Sequence, residues 1–360
     1  MREILAQLDR WQEEGEAIAL ATLVRVQRSA PRLPGARLAL TRSGRMAGSV
    51  SGGCVESDVL RQGLAVLEAG RPVVARYGID DEAGLAVGLS CGGTIDVLVE
   101  PFAPDAVWRA LREAVEKERP AAWAVGLAPE ALLARKLALL DDGQVLGSVH
   151  PDVDAALVAE ARRLLPEGGA RTLGLPFRGG EASCFVEALS PPLRLYVLGA
   201  THVGVALSRM AKQTGFRVTV IDARSPFATA ERFPDADELL RAWPGEVLDA
   251  AALGPWSYVV SLSHDFKFEI PALLRALRSG ARYVGALGSR ATHEKRKARL
   301  REEGLGEAEL ARIRAPIGLD LGGRSPEEIA VAILAEMLAV RHGRDAGALS
   351  QRQGSGDGAR

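Results

Sequence analysis

LYVLGATHVGVALSRMAKQTGFRVTVIDAR, residues 195–224, contains a strand, a glycine turn, a helix and a second strand. The apolar run Leu193–Leu198 predicts a buried strand, and a helix is expected over His202–Gln213. Gly215 is placed to end that helix, and Arg217–Ile221 follows as the second strand. Strand, helix and strand in this order predict a parallel sheet with the helix packed on one face.

The same alternation continues towards the C-terminus. We expect further strands at Ser257–Ser263 and Arg282–Leu287, and helices at Ile270–Arg278, Thr292–Glu303 and Ser325–Val340. Residues 193–342 are therefore predicted to be α/β, a Rossmann-like doubly wound parallel sheet. The Gly-, Gln- and Ser-rich tail at 343–360 is expected to be disordered.

Before a boundary at Ser190–Pro192 the pattern is different. Residues 1–104 mix helices and strands without regular alternation, which predicts an α+β domain. Residues 105–190 are interpreted as an insertion into that domain or an extension of it. The strand IDVLVEP at 95–101 is echoed by SCFVEAL at 183–189, but no long internal repeat is expected.

Composition excludes several classes of protein. The 360 residues include 45 Lys and Arg against 46 Asp and Glu, a net charge of −1, which argues against binding nucleic acid through bulk basicity. No apolar run approaches the roughly 18–20 residues of a membrane span, and charges at the N-terminus argue against export. Three cysteines are too few for a disulfide scaffold, so we expect a reducing cytoplasm.

The first turn of the predicted parallel sheet resembles a dinucleotide-binding motif. Gly199 and Gly204 fit the first and third glycines of G-x-G-x-x-G, whereas Thr201 replaces the second, which normally lets the backbone approach a pyrophosphate. Asp222 closes the second strand, where an acid commonly meets a ribose hydroxyl. The pattern favours a nucleotide-type fold more strongly than actual dinucleotide binding, and the alternative is a phosphate-sized or vestigial pocket.

Two glycine–cysteine loops form the second signal. One contains Gly52-Gly53-Cys54 and the other Cys91-Gly92-Gly93. Adjacent glycines are expected to leave backbone amides open and the thiol approachable, and Cys54 near a helix N-terminus is in an environment that favours thiolate. Such a thiolate ligates a soft metal, accepts sulfur or anchors a cofactor. The alternative is that both cysteines are small buried hydrophobic residues, as we expect for Cys184, and the spacing is a weak zinc signal.

Polar residues also follow the predicted parallel strands. Because the carboxyl ends of such strands meet at one edge, His202, Asp222, Arg224, His264 and Arg290 are candidates for a shared crevice. For any single histidine the alternative is a structural hydrogen bond. The adjacent basic run 295–297 is a candidate to hold a phosphate-bearing ligand, and the alternative is that it forms a solvated helix face.

Six segments in order identify a family. They are GSVSGGCVE (48–56), GLSCGGTIDVLVEP (88–101), LYVLGATHVGVALSRMAKQTGFRVTVIDAR (195–224), SHDFKFEIPALLRAL (263–277), YVGALGSRATHEKRKARL (283–300) and APIGLDLGGRSPEEIAVAILAEMLA (315–339). Together they resemble the xanthine dehydrogenase accessory factor family of the XdhC/CoxI type.

The resemblance implies a cytoplasmic maturation factor that binds molybdenum cofactor, a molybdopterin. Such a protein protects or hands over the sulfurated cofactor and assists its insertion into a molybdenum hydroxylase of the xanthine dehydrogenase or carbon monoxide dehydrogenase type. The implied partners are the hydroxylase apo-enzyme and a cysteine desulfurase. The implied role is that of a cofactor-binding chaperone more than a turnover enzyme.

The resemblance also carries over cofactor-binding positions. They are Gly52, Gly53, Cys54, Cys91, Gly92, Gly93, Gly199, Thr201, His202, Gly204, Asp222, Arg224, His264, Gly288, Ser289 and Arg290. The chain departs from the family at Thr201, where glycine is usual, and this puts NAD(P) in doubt more than a pterin phosphate. It also departs at Ser263, Phe266, Glu269 and Gly323.

Two rival functions remain open from sequence. One is an NAD(P)-dependent oxidoreductase that uses the Gly199 turn, although no catalytic acid or base is evident. The other is a sulfurtransferase that carries a persulfide on Cys54 or Cys91. A homodimer is a further possibility, because the helix Ile329–Val340 is apolar over much of its surface, but a core helix has the same pattern.

Overall fold

The computed structural model describes residues 1–78, 93–224, 226–348 and 350. The chain divides after Pro191 into two compact units. We call Met1–Pro191 the N-terminal unit and the part from Pro192 the C-terminal unit. Among the described residues no helix combines the length and apolar character needed to cross a membrane.

The first half of the N-terminal unit is an antiparallel five-stranded sheet with two helices. Its elements are α1 (Arg2–Glu13), β1 (Ile18–Gln27), β2 (Arg37–Thr41), β3 (Met46–Gly48), α2 (Glu56–Ala69), β4 (Val73–Tyr77) and β5 (Thr94–Pro101). The strand order is β3-β2-β1-β5-β4. Helix α2 ends at Gly70, which takes the left-handed conformation typical of a helix C-terminus.

The second half of the unit has the same architecture. Its elements are α3 (Ala106–Glu116), β6 (Ala121–Ala128), a 3₁₀ turn (Glu130–Leu132), β7 (Lys136–Leu140), β8 (Val145–Gly147), α4 (Pro151–Leu164), β9 (Gly169–Phe177) and β10 (Gly180–Leu189). The order β8-β7-β6-β10-β9 reproduces that of the first sheet strand for strand. The expectation that the chain has no long internal repeat is therefore wrong.

A sequence signal for this repeat exists. RLALTRSGRMAGSV at 37–50 and KLALLDDGQVLGSV at 136–149 share 7 of 14 residues at an offset of 99. Gly48 and Gly147 are equivalent, and a Cβ at either one would collide with the carbonyl oxygen of Arg37 or Lys136, which are themselves equivalent. The repeat keeps the residues that the tight approach of β2 to β3, and of β7 to β8, requires.

Buried ion pairs join the two halves in a reciprocal way. Arg37 of β2 pairs with Glu187 of β10, and Lys136 of β7 pairs with Glu100 of β5 at 2.7 Å. Arg37 is 1% exposed, and Trp123 Nε1 also donates to Glu187, at 2.7 Å. Because each half contributes one acid and one base to these pairs, each half depends on the other. Removal of one partner would leave a buried charge unpaired.

The C-terminal unit is a six-stranded sheet with helices on both faces. Its elements are β11 (Leu193–Leu198), α5 (His202–Gln213), β12 (Phe216–Ile221), β13 (Glu238–Leu240), α6 (Pro244–Ala250), β14 (Ser257–Ser261), α7 (Phe266–Arg278), β15 (Tyr283–Ala286), α8 (Arg290–Glu302), α9 (Glu307–Leu310), β16 (Ile313–Arg314) and α10 (Pro326–Arg341).

All neighbouring strands of this sheet are parallel, in the order β13-β12-β11-β14-β15-β16. Helices α5 and α10 share one core with the sheet, and α6 to α9 share a core on the other face. The α/β class with a doubly wound parallel sheet is thus confirmed. Helix α10 buries Ala330, Ile333 and Met337 in the core that it shares with α5. Part of its apolar surface is therefore core, and the homodimer stays a prediction.

Candidate functional site

The glycine–cysteine loop before α2 is organised by one carboxylate. Glu56 Oε1 accepts from Ser49 Oγ at 2.5 Å, from Val50 N at 3.2 Å and from Ser51 N at 2.9 Å. Its other oxygen accepts from Ser51 Oγ, from Gly53 N at 2.9 Å and from Val55 N at 3.2 Å. Six donors thus converge on a single side chain.

Partial burial by itself raises the pKa of Glu56. The hydrogen bonds from the hydroxyls of Ser49 and Ser51 and from backbone amides outweigh burial and lower the pKa to about 2. Glu56 is therefore ionised at neutral pH, and the amides of its own loop donate to this carboxylate.

The amides of this loop are closed, which corrects the expectation that adjacent glycines leave them open. Gly52 N donates to Ser49 Oγ at 2.8 Å, and Cys54 N donates to Ser51 Oγ at 3.0 Å. Gly52 and Gly53 are exposed and have φ of 79° and 116°. The glycines are needed because the chain must curl around Glu56 with positive φ, and no amide nest is left for a ligand's phosphate here.

The second half of the unit provides an internal comparison. There Asp154 occupies the place of Glu56 and accepts from Ser148 Oγ at 2.5 Å, from Val149 N at 2.9 Å and from His150 N at 3.0 Å. Helix α4 then begins at Pro151, directly after its cap His150. In the first half α2 begins only at Glu56, so Gly52-Gly53-Cys54 form a loop where the second half has its cap and the start of α4. The path from the shared serine to the acid is one residue longer, and the two halves therefore differ at the predicted site.

Cys54 lies two residues before α2 and is half-buried against the core of the first sheet. Cys91 and Gly92, the cysteine and one glycine of the second predicted loop, lie outside the described residues. Gly93 is described and buried, and a Cβ there would overlap the carbonyl oxygen of Ser29. Cys184 is fully buried in β10, as expected, and burial raises the pKa of its thiol to about 11.

In the C-terminal unit, the Gly199 turn connects β11 to α5. Thr201, which interrupts the glycine motif, is the N-cap of α5, and its hydroxyl accepts from Gly204 N at 3.2 Å. The helix start is therefore capped internally. Among the described contacts, this leaves the amides of His202 and Val203 as the first-turn donors open to an anion.

Asp222 is saturated with hydrogen bonds. Its Oδ2 accepts from Ala200 N and from Arg224 Nη2, both at 2.8 Å. Its Oδ1 accepts from Arg224 N at 2.9 Å and from Arg224 Nε at 3.0 Å. Burial raises the pKa of this carboxyl, but the contacts with Arg224 and the amides prevail and lower it. Because all four lone-pair positions are used, Asp222 in this conformation has none for a ribose hydroxyl.

Only part of the predicted crevice is assembled at this edge. Gly199, Asp222 and Arg224 line one narrow cleft together with Ser263. His264 lines a different, open groove beside α7 and the end of α8. His202, Ser289 and Arg290 are exposed and line neither cavity, and Ser289 caps α8 by accepting from Thr292 N at 3.1 Å.

Gly288, directly before that cap, has φ of 136°, so it serves the turn into α8. Within the described ranges, no three His, Cys, Asp or Glu side chains are arranged to hold a metal ion.

The sequence reasoning missed two groups at these sites. Glu56 belongs to the quoted motif but was given no role, although an acid in a first helical turn after serines signals a capping network. Arg296 belongs to the basic run for which a solvated face was favoured. The structure buries it to 1% exposure, where it pairs with Glu269 at 2.9 Å.

Comparisons with known proteins agree with this architecture. A family model for the XdhC Rossmann domain matches residues 195–337, and one for the XdhC and CoxI family matches residues 11–78. A protein of Bacillus subtilis named as a probable xanthine dehydrogenase subunit is 30% identical over 340 residues, 93% of this chain and 96% of that protein. The molybdenum cofactor insertion chaperone PaoD of Escherichia coli is 27% identical over 327 residues, 91% of this chain and 84% of that protein.

One solved structure shares the fold. It is described as a xanthine dehydrogenase from Bacillus halodurans and superposes with a TM-score of 0.68 at 24% identity. The match covers 96% of this chain and 97% of that chain, so the two proteins have the same architecture along almost their whole length.

Proposed function

The chain belongs to the XdhC and CoxI family, and from this premise we propose that it is a maturation factor for a molybdenum hydroxylase. It binds molybdenum cofactor as cargo and assists its insertion into an apo-enzyme of the xanthine dehydrogenase type. The names of its relatives support the role of a chaperone and the class of recipient. A carbon monoxide dehydrogenase-type recipient fits the same chemistry.

The observation that carries this proposal is the Gly52-Gly53-Cys54 loop. A duplicated scaffold has kept its hairpin, its serine and its capping acid in both halves, but only the first half places a cysteine at that turn. The six hydrogen bonds to Glu56 hold the loop, so Cys54 is presented at a defined place beside a helix N-terminus.

The residues of this loop fit the cargo chemically. Molybdenum and the dithiolene sulfurs of molybdopterin are soft centres, and a cysteine thiolate is the side chain that suits them best. The closed amides of the loop select against a phosphate at the same place.

Cys54 also suits sulfur transfer. We propose that a cytoplasmic cysteine desulfurase supplies the sulfur of the sulfurated cofactor while the chaperone holds it. NAD(P) is disfavoured as the ligand of the Gly199 turn, because the hydroxyl of Thr201 already accepts from the amide of Gly204 and Asp222 is already saturated.

The test is anaerobic cofactor binding. Wild type is incubated with molybdenum cofactor and passed through gel filtration, and the bound pterin is oxidised and measured by fluorescence. We expect about one pterin per chain on wild type and a loss of at least about tenfold in Cys54→Ser. Cys91→Ser tests the second predicted loop.

Cys184→Ala is the matched control, because that thiol is fully buried and should not contribute. Equal retention of pterin by Cys54→Ser and wild type would refute the role of this loop. No pterin on wild type would refute the proposed function.

A further inference from the structure

A narrow cleft at the carboxyl edge of the parallel sheet has a buried acid in its wall. Leu198, Ile221, Pro244 and Phe268 give the cleft apolar sides, and Arg224 and Glu269 are among its polar residues. Glu269 is in the first turn of α7 and is 1% exposed. This acid pairs with Arg296 and has no part in the cofactor handling proposed for Cys54.

Only half of the Glu269 carboxylate is used within the protein. Oε1 accepts from Ser261 Oγ and from Arg296 Nη2, both at 2.9 Å. Oε2 is buried and accepts no hydrogen bond among the described residues. Buried polar atoms are almost always paired with protein or water, so an unpaired oxygen on a residue that lines a cleft is an acceptor open to a ligand's donor.

The ion pair leaves polar atoms of both side chains without a partner among the described residues. Arg296 donates to Glu269 and also to the carbonyl oxygen of Leu287, at 2.8 Å, so its position is fixed by the end of β15. Its Nε and Nη1 are likewise buried without a partner in the described part of the chain. Arg296 thus positions Glu269, and its charge opposes the burial that raises the pKa of this carboxyl. Oε2 of this cleft-lining residue has no partner among the described residues.

The walls restrict the shape of the ligand. Phe268 lines the cleft and stacks on Trp243, with ring centroids 4.5 Å apart and an interplanar angle of 14°. Apolar walls with one polar anchor are typical of sites for flat rings. The other acid in the cleft, Asp222, is saturated, so Glu269 is the acceptor that remains for ring N–H groups.

We propose that this cleft binds the 2-amino-4-oxopyrimidine edge of a fused heterocycle, with Glu269 accepting from the ring N–H and the 2-amino group. That edge offers two adjacent donors, and the unpaired Oε2 has two lone pairs with which to accept them. The inference rests on the proposed function in one respect only, since pterin is a ring of this kind. Guanine has the same edge, so both sources are tested.

Ligand pairs test the proposal on the unaltered full-length protein. Equilibrium dialysis compares pterin with lumazine, which carries an oxygen in place of the 2-amino group, and GMP with XMP, which differ in the same way. We expect pterin or GMP to bind about 10- to 100-fold more tightly than its oxo partner. The oxo partner has no 2-amino group and so cannot donate that hydrogen bond to the carboxylate. A preference only for pterin identifies the cofactor ring, and a preference only for GMP identifies a nucleotide. Equal binding within each pair, or no binding of any of the four, overturns the proposal.

Variants then locate the site. Glu269→Gln should weaken binding of the favoured ring at least about tenfold, and Glu246→Gln, an exposed acid on neighbouring α6, should not change it. If Glu269→Gln proves unstable, Phe268→Ala removes a wall without touching the ion pair and should also weaken binding. An unchanged affinity in a folded Glu269→Gln overturns the proposal.

The same data separate the two claims. If wild type fails to bind molybdenum cofactor but still distinguishes the rings, only the proposed function is contradicted. Cofactor binding without ring selectivity would contradict this inference alone.

Discussion

Replacing Glu56 by Gln should loosen the glycine–cysteine loop, because six donors converge on this carboxylate. The amide oxygen of Gln can replace Oε1, but its NH₂ group then faces the amides of Gly53 and Val55, which are themselves donors. At least two hydrogen bonds are lost. At about 1 kcal/mol each for a half-exposed site, the free energy of unfolding should fall by about 2 kcal/mol.

The pKa of Glu56 gives an independent magnitude. A pKa of about 2 against the ordinary 4.5 corresponds to about 3 kcal/mol in favour of the ionised folded form. Solvent screening at this partly exposed carboxylate reduces that to about 2 kcal/mol. For a unit the size of Met1–Pro191, this is a fall in melting temperature of about 4–8 °C.

The sign of the pH dependence follows from the lowered pKa. A carboxyl with a depressed pKa stabilises the folded state fully above its unfolded value and loses that contribution as pH falls. The difference in stability between wild type and Glu56→Gln should therefore be constant above about pH 4.5. It should shrink between pH 4.5 and about 2. Urea unfolding followed by circular dichroism, repeated from pH 7 to pH 3, measures it.

Asp154→Asn is the matched control in the second half of the unit. Asp154 accepts two amides on Oδ1 and a serine hydroxyl on Oδ2, and Asn can satisfy all three. We expect it to cost less than half as much stability and to leave cofactor binding unchanged, whereas Glu56→Gln should lower cofactor binding. Equal losses of stability in the two variants, or unchanged stability in Glu56→Gln, would refute the reasoning.

Three further outcomes follow from the structure. Gly53→Ala must place a side chain at φ 116°, so it should lower stability by about 1–3 kcal/mol in thermal unfolding although nothing blocks its Cβ; a neutral result contradicts the loop geometry. Thr201→Gly restores the glycine motif but should not create NADH binding in a fluorescence titration, since Asp222 stays saturated; saturable NADH binding would contradict this. Arg37→Met leaves Glu187 buried without its charged partner and should lower the free energy of unfolding in urea by about 3–5 kcal/mol. A loss below about 1 kcal/mol would show that the pair is dispensable.

The parallel sheet of the C-terminal unit was the most predictable part. Its longer strands are continuous apolar runs separated by amphipathic helices, and Ser325 caps α10 in a capping box with Glu328. The three-residue strand β13 and the seven-residue helix α6 were missed, because elements so short carry little periodicity.

The arrangement of the sites was less predictable, because side-chain pairing depends on residues that are distant in sequence. Asp222 is where the motif places it, but it accepts hydrogen bonds from Arg224 and Ala200. These bonds occupy the positions that a ribose hydroxyl would use. Arg296 looks like one more base on a charged helix, and only the approach of Glu269 from α7 explains its burial. The repeat was hidden because its halves share little beyond one hairpin and its following glycine, serine and valine.

The most direct test of the account is transfer of the cofactor. The chain is loaded anaerobically with molybdenum cofactor, desalted and mixed with a cofactor-free hydroxylase of the xanthine dehydrogenase type. The two proteins are then separated by size, and molybdenum and pterin are measured on each. We expect both to move together to the hydroxylase from wild type, and Cys54→Ser to deliver at least about tenfold less. Cofactor that never binds the chain, or that reaches the hydroxylase equally well without it, would refute the role of a cofactor chaperone.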